Sequence, residues 1–334
     1  MGTKQQNVMT GARGIEWTDE TRNVLGGCLH ECRWRMPSAD GVEPGKIARC
    51  YAEVLAEEGL ARGGYPHGFK HHYWRGEKAL KELVAGGAPS LIFCDSMSDL
   101  FGPWVPEEQL LAVLAAMDAG GRHHTYQSLT KAVGRLTRFA DRFPPNLWVG
   151  ASSAPDFFMG RELTRDQQQR YMHKALAALA EVKARTGNVV WMSAEPLSWD
   201  VAPILAQYPG VLDWVIIGAA SDGRRYFQPN AAHVDALLDV LDAQGVAVFY
   251  KGNIKPLFEL WDFGTAAANR WREDFPVRPV RDLPGPAAAV ARRQRLARQH
   301  GWTLNAHLPS DAGTDAETAA PTAARPAPTQ PALF

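Results

Sequence analysis

The sequence has 334 residues, with 36 Lys and Arg against 36 Asp and Glu, so its formal net charge is zero. A chain of this length can bury one large core and fits a single α/β barrel. Neutrality excludes a global electrostatic pull toward nucleic acid and leaves only local basic patches to consider. Four cysteines in so long a chain do not make a secreted disulfide framework. Three of them cluster near the start, which points to a reducing compartment and metal ligation. The polar start lacks the apolar stretch of a signal peptide, and no apolar run is long enough to span a bilayer. A cytoplasmic protein with no membrane partner is expected.

Residues 1–13 read as a flexible tail, followed by a short extended segment, Ile15-Glu16-Trp17-Thr18-Asp19. The cysteine stretch comes next, then a helical pattern from Tyr51 to Arg62 with Val54, Leu55 and Leu60 apolar. A loop rich in His and aromatic residues leads to a helix over Glu77 to Val84. From there short apolar runs alternate with helical patterns. The runs are Ser90–Cys94, Thr125–Leu129, Leu147–Ala151, Val189–Ser193, Asp213–Ile217 and Val246–Tyr250. The helices between them are Pro106–Met117, Ala132–Phe139, Thr164–Arg185, Val201–Gln207 and Ala231–Ala243. Such alternation predicts a parallel sheet covered by helices, with right-handed crossovers between neighbours. A partial or closed parallel (β/α) barrel is expected, with a doubly wound open sheet as the other solution. No G-x-G-x-x-G follows a strand, which counts against a dinucleotide fold. After Asn253 the pattern stops. Residues 256–305 read as a C-terminal extension packed over one barrel end, and the Ala/Pro/Thr-rich residues 306–334 as a disordered tail.

The chemistry centres on Gly27-Cys28-Leu29-His30-Glu31-Cys32 and Arg49-Cys50-Tyr51-Ala52-Glu53. Cys28 and Cys32 are spaced C-x3-C, and Cys50 follows an insert, Arg33 to Arg49, that contains Gly and Pro. Three thiolates ahead of a strand–helix repeat suit a [4Fe–4S] cluster with one iron left open. A zinc site that adds His30 or another His, and buried thiols without metal, are the other readings. The insert is compatible with convergence of its ends, because closing a longer loop adds only about 0.6 kcal/mol per doubling of length. This arrangement resembles the radical S-adenosylmethionine enzymes, whose pattern places three cysteines on a loop after the first barrel strand. The resemblance implies metal ligation by Cys28, Cys32 and Cys50, with S-adenosylmethionine on the open iron and a 5′-deoxyadenosyl radical as product. It also implies an external electron donor of flavodoxin or ferredoxin type.

Parallel barrels carry their chemistry on the loops after the strands. Those loops here hold Asp95-Ser96-Met97-Ser98-Asp99, Thr130-Lys131, Ser152-Ser153, Glu195-Pro196, Ser221-Asp222-Gly223 and Lys251-Gly252-Asn253. Asp95, Ser96, Asp99, Ser152, Glu195 and Lys251 are candidates for binding the cofactor. Lys131 and Lys251 are candidates for carboxylate, phosphate or substrate contacts. Ser, Asp and Thr also serve as helix caps at such turns, whereas Lys131 and Glu195 are long charged groups directly after apolar strands. Cys94 ends a strand, and a thiol at a barrel mouth can donate a hydrogen atom to a product radical. A buried small hydrophobe is the plainer reading of it.

The ordered row Gly14–Asp19, Gly27-Cys28, Cys50–Glu53, Ser96–Phe101, Leu129–Lys131 and Glu195–Leu197 resembles a phage and bacterial family of radical-S-adenosylmethionine-like proteins with three cysteines. A weaker likeness, in cluster and barrel only, is to spore photoproduct lyase. The chain departs from the first family at Gly218–Gly223, which lacks a glutamate usual there, and after the last strand, where only Lys251 carries over. The resemblance spans residues 14–255 with a cluster loop at 27–51. It implies an isomerase or lyase acting on a nucleic-acid base, such as a hypermodified thymine in phage DNA, within a host cytoplasm. Repair of thymine lesions is the alternative chemistry, and a zinc-stabilised binding module the alternative class. The His67–Trp74 segment and Arg292 to Arg298 mix groups that can stack on bases or hold phosphates.

Overall fold

A computed structural model describes residues 15–36, 46–59, 62–86, 89–119, 123–221, 226–260 and 271–276. The expected N-terminal tail, the C-terminal tail, Arg292 to Arg298, Asp222 and Gly223 lie outside the described residues, as does most of the extension.

Seven strands form one parallel sheet: β1 (Glu20–Arg22), β2 (Leu91–Cys94), β3 (Thr125–Thr130), β4 (Leu147–Ser152), β5 (Val190–Ala194), β6 (Trp214–Ile217) and β7 (Ala247–Tyr250). They lie side by side in chain order, every pair parallel. Among the described residues β1 and β7 do not pair with each other, so the barrel is partial, not closed. Helices fill the crossovers: α1 (Tyr51–Glu57), α2 (Gly76–Val84), α3 (Glu107–Ala119), α4 (Gly134–Phe139), α5 (Arg165–Thr186), α6 (Ala202–Leu205) and α7 (Ala231–Ala243), with α8 (Lys255–Leu260) after β7. The first strand starts at Glu20, later than the extended segment expected from Ile15. Residues 15–19 instead turn, with Thr18 Oγ1 donating to the Leu91 carbonyl and Asp19 Oδ2 accepting the Leu91 amide. α5 shows why one helix was so readable. Thr164 and Gln167 form a capping box at its start, and Gly187 ends it at φ 70°.

The period of two along the strands sorts side chains onto two faces. Ile92, Tyr126, Val149, Met192, Val215 and Val248 face the helices and join their apolar stripes in the main core. The concave face is aromatic. Trp17, Phe93, Trp148, Trp191, Trp214, Phe249 and Phe275 pack there, with Trp17 5.3 Å from Trp191 and Trp214 5.4 Å from it. Residues 271–276 run beside β7: Tyr250 N donates to the Arg272 carbonyl and Asp274 N to the Val248 carbonyl. This covers the β7 edge, and Phe275 wedges between Trp214 and Phe249. The described part of the extension after α8 thus covers a sheet edge.

Gly150 is the glycine that this aromatic floor requires. A Cβ there would lie 2.4 Å from Trp191 Cε2. Replacing Gly150 by Ala is expected to cost about 1–3 kcal/mol, the usual penalty of overpacking. Urea unfolding with an unchanged m-value and a lower midpoint would show it; a neutral variant would mean that the indole layer is loosely packed.

Candidate functional site

The strand ends build a mouth above the aromatic floor, and the cysteine stretch crosses it. Gly27 makes the crossing possible. Its φ is +78°, and a Cβ would meet the His71 carbonyl oxygen at 1.7 Å. Its amide donates to the Met97 carbonyl and its carbonyl accepts Ser98 Oγ at 2.9 Å, while Cys28 N donates to the Phe69 carbonyl. The loop is therefore pinned between the segment after β2 and the His-rich loop.

Asp99 holds the loop's middle. Its Oδ2 takes His30 Nε2 at 2.8 Å and the Lys131 amide at 2.9 Å. Its Oδ1 takes Thr130 Oγ1 at 2.7 Å and the Phe101 amide at 3.0 Å. The His30 ring stacks on Phe158 and meets Trp104 edge-on. Burial alone would raise the Asp99 carboxyl, but the His30 hydrogen bond and charge, with the Lys131 amide and Thr130, hold it below its ordinary value.

The insert between Cys32 and Cys50 is a hairpin, and this solves the spacing. Arg33–Met36 pairs antiparallel with Lys46–Arg49, Arg33 facing Arg49. Cys32 and Cys50 are the next positions on the two strands, at the open end, where opposed Cα atoms sit about 5 Å apart. Arg33 forks onto Glu53 of α1, with Nη1 2.6 Å from Oε2 and Nη2 2.9 Å from Oε1. Tyr51 OH donates to the Ser96 carbonyl at 2.7 Å. The Cys50-Tyr51-Ala52-Glu53 motif thus clamps the third cysteine against the first two. Cys50 packs in both of the small clusters that contain Cys32 and Cys28.

The hairpin also roofs the mouth. Phe157–Phe158 joins it, Phe157 facing Arg33. Its inner face carries Trp34, Met36 and Ala48, against Phe158, Ala220 and Phe227, and the Lys131 ammonium lies over the Trp34 ring, 5.7 Å from its centroid. The roof therefore meets the loops after β3, β4 and β6.

Removal from water pushes the Cys28 thiol well above its ordinary value. Cys32, Asp99 and Cys50 add to that, and the His30 amide, donating to the sulfur, works against it. Burial pushes Cys32 up to about 12, opposed first by Lys131. Three thiols that are costly to ionise alone, gathered in one place beside a cation and an N–H···S bond, are a donor set that fits a metal cluster. Among the described residues no three His, Cys, Asp or Glu converge tightly enough to hold a single metal ion. A four-iron cluster does not need that, since each cysteine binds a different iron. His30, a zinc candidate by sequence, has its Nε2 committed to Asp99.

The other sequence candidates divide. Lys131, Ser152, Glu195 and Lys251 reach the mouth: Lys251 Nζ lies 3.1 Å from Glu195 Oε1 and over the Tyr51 ring, and Glu195 Oε2 accepts Ser193 Oγ. Asp95 and Ser96 are turned into the fold. Asp95 Oδ1 accepts the Val24 and Leu25 amides at 2.7 and 2.8 Å, and Ser96 Oγ donates to Asn23 Oδ1. Cys94 shares the helix-facing core with Ile92 and meets Asp95 at 3.4 Å, so it does not face the mouth as a hydrogen donor there must. The alternation along β2 places it there. Sequence reasoning missed Trp34 and Arg33 and gave no role to Asn253, whose side chain brackets Ala219 through N–H···O bonds both ways. The signal for Arg33 was the buried-side glutamate in the Cys-Tyr-Ala-Glu motif.

Two carboxylates give tests of opposite sign. Burial, ahead of the opposing amide bonds, pushes the Asp95 carboxyl up to about 6. A raised acid favours its protonated form, so stability falls as pH rises from about 4 to 6, by roughly 3 kcal/mol at about 1.4 kcal/mol per unit. Asn at position 95 should flatten that slope in urea titrations at several pH values. For Asp99, lowered when folded, stability is present above its unfolded pKa and is lost as pH falls through the folded one. Asp99→Ala is expected to cost about 3–5 kcal/mol by stranding buried donors, and faster exchange of the Gly27–Cys32 amides would localise the damage.

No curated protein sequence matches the chain. Among solved structures it is similar to a spore photoproduct lyase mutant at 11% identity and TM-score 0.44, over 70% of this chain and 77% of that one. It is also similar to spore photoproduct lyase complexed with dinucleoside spore photoproduct, at 10% identity and TM-score 0.38, over 68% of this chain and 62% of that one. The apo form of 3-keto-D-glucoside 4-epimerase from E. coli follows at 16% identity and TM-score 0.22, over 67% and 82%. The half-barrel itself stands on strand order and register. The sequence pattern of one family covers residues 12–259, which take in all seven strands of the sheet. The chain belongs to that family, described as "Protein of unknown function (DUF5131)".

Proposed function

We propose that the chain is a radical S-adenosylmethionine enzyme whose [4Fe–4S] cluster is held by Cys28, Cys32 and Cys50. One observation carries this reading: a hairpin and an Arg33–Glu53 clamp bring a distant third cysteine to the first two, at the C-terminal mouth of a parallel half-barrel. Cluster and S-adenosylmethionine together would supply a 5′-deoxyadenosyl radical that takes a hydrogen atom from an unactivated C–H bond. The chain's own residues arrange the setting. Asp99 and Gly27 fix the cysteine loop. The Trp34 roof and the aromatic floor keep water from the mouth. Glu195, Ser152 and the two lysines offer hydrogen-bonding and charged groups to a polar cofactor and substrate.

For the substrate we propose a nucleic-acid base, with rearrangement of a hypermodified thymine in phage DNA as the first case and a flavodoxin- or ferredoxin-type electron donor as partner. The motif row that resembles the phage and bacterial three-cysteine family supports this, together with the aromatic rings of Trp34 and Tyr51 at the mouth, which are suited to a planar ring.

The test uses protein purified without oxygen and reconstituted with iron and sulfide. About four irons per chain, a cluster absorbance, and 5′-deoxyadenosine formed on adding reductant and S-adenosylmethionine are expected. All three should vanish in the Cys28/Cys32/Cys50→Ala variant. One equivalent of zinc, or a cluster that never cleaves S-adenosylmethionine with candidate nucleosides present, would overturn the reading. Loss of dimers from irradiated DNA would redirect the chemistry to thymine-lesion cleavage.

A further inference from the structure

Two lysines stand on opposite sides of the mouth, each over an aromatic ring next to a cysteine. Lys251, after β7, lies 5.9 Å from the centroid of the Tyr51 ring, one residue past Cys50. Lys131, after β3, lies 5.7 Å from that of the Trp34 ring, two residues past Cys32. Their charges differ in what answers them. Lys251 is 3.1 Å from the Glu195 carboxylate, with both side chains largely buried. Among the described residues Lys131 has no carboxylate partner and no acceptor for its ammonium. The Asp99 carboxylate nearby takes the Lys131 backbone amide, and its oxygens are filled by three further donors.

A second unanswered donor lies beside it. Trp34 is 5% exposed, and among the described residues its buried indole Nε1–H has no hydrogen-bond partner. A buried donor left unpaired is costly, and a half-buried ammonium with no carboxylate partner adds to that. An oxyanion with two oxygens answers both donors at once. A cation alone could be satisfied by water; a cation paired with a shielded N–H cannot be satisfied so cheaply.

From this asymmetry we infer that Lys131 and Trp34 form an oxyanion-binding site on the β3 side of the mouth, for a carboxylate or a phosphate. Glu195 already neutralises Lys251, so the β7 side takes neutral or cationic groups instead. A ligand in the mouth is therefore oriented: its anionic end lies toward β3 and Cys32, its uncharged or cationic end toward β7. This inference rests on reading the mouth as a ligand site, and it needs no turnover.

The two sources of such an anion can be separated by calorimetry, on protein with and without its cluster and without reductant. S-adenosylmethionine is compared with 5′-methylthioadenosine, which lacks the amino-acid end. Thymidine 5′-monophosphate is compared with thymidine, and inorganic phosphate is titrated alone. Lys131→Met should weaken the charged member of a pair by about tenfold, the scale of one charge-assisted hydrogen bond, and leave the uncharged member unchanged. Lys131→Arg should retain most of the affinity, and Trp34→Phe, which keeps a ring under the ammonium but removes the N–H, should lose part of it. The pair that responds names the source: the first a cofactor carboxylate, the second a substrate phosphate. An equal loss for charged and uncharged members, no loss in Lys131→Met, or no anion-dependent binding in the parent protein would each overturn the site. In the second case Lys131 serves only to offset the Cys32 sulfur. A protein that binds these anions through Lys131 but never cleaves S-adenosylmethionine would keep the site and lose the proposed function.

Discussion

The first two cysteines and the end of β3 depend on one carboxylate. Asp99 sits in the turn after β2, yet its oxygens hold His30 in the cysteine loop, Thr130 at the end of β3 and the Lys131 amide just beyond it. Three segments far apart in sequence share one buried anion whose four acceptor positions are filled. A fully satisfied buried charge of this kind resists movement, because shifting any one segment strands a buried donor. His30 lies between Cys28 and Cys32, so the same contact that joins β2 to β3 also sets where the first two sulfurs stand. The third sulfur is set separately, by Arg33 on Glu53. Two clamps, each built on a buried carboxylate, thus govern a three-cysteine arrangement, and neither carboxylate needs to touch a ligand to do so.

The sheet divides its labour along each strand. Trp148, Gly150 and Ser152 follow one another on the concave face of β4, as Trp191, Ser193 and Glu195 do from β5. The lower positions are wide indoles that shut the half-barrel from below, and the upper ones are polar. An open sheet would leave that concave face wet. Trp17, Phe275 and the indoles fill it from beneath, while the insert hairpin covers it from above. A barrel with a missing side can therefore still be covered at both ends of its concave face.

How much of this was legible in the sequence follows from which forces are local. The strands and helices of the repeat were readable, since apolar runs bounded by caps such as Thr164 and Gly187 are short-range signals. α7 begins and ends at the expected residues, with Asn230 capping its start. Partial against closed could not be told apart, because it depends on whether β1 and β7 meet. The strand-end residues were harder. Ser, Asp and Lys at such ends look alike in sequence, and whether a side chain faces the mouth or the helices depends on a turn's φ. Asp95, at φ 60°, is turned to the Val24 and Leu25 amides. Cys94 is one residue out of phase with the concave face. His30 looked like a ligand because it stands between cysteines; only the fold brings Asp99 to it.

The insert brings its two ends together, as its length allows. In sequence it sets seventeen residues between the second and third cysteines. In the fold its two arms pair in register, so length along the chain becomes proximity at the hairpin's open end. The same pairing turns Trp34 inward and Arg35 outward, to Glu162 on the neighbouring hairpin. A short gap would join two cysteines and nothing more. A hairpin joins them and lays an aromatic lid across the strand ends, with a ring under the Lys131 ammonium. Spacing between ligands and enclosure of the site are then one structural feature, and a change in the hairpin's register would move Cys50 and Trp34 together.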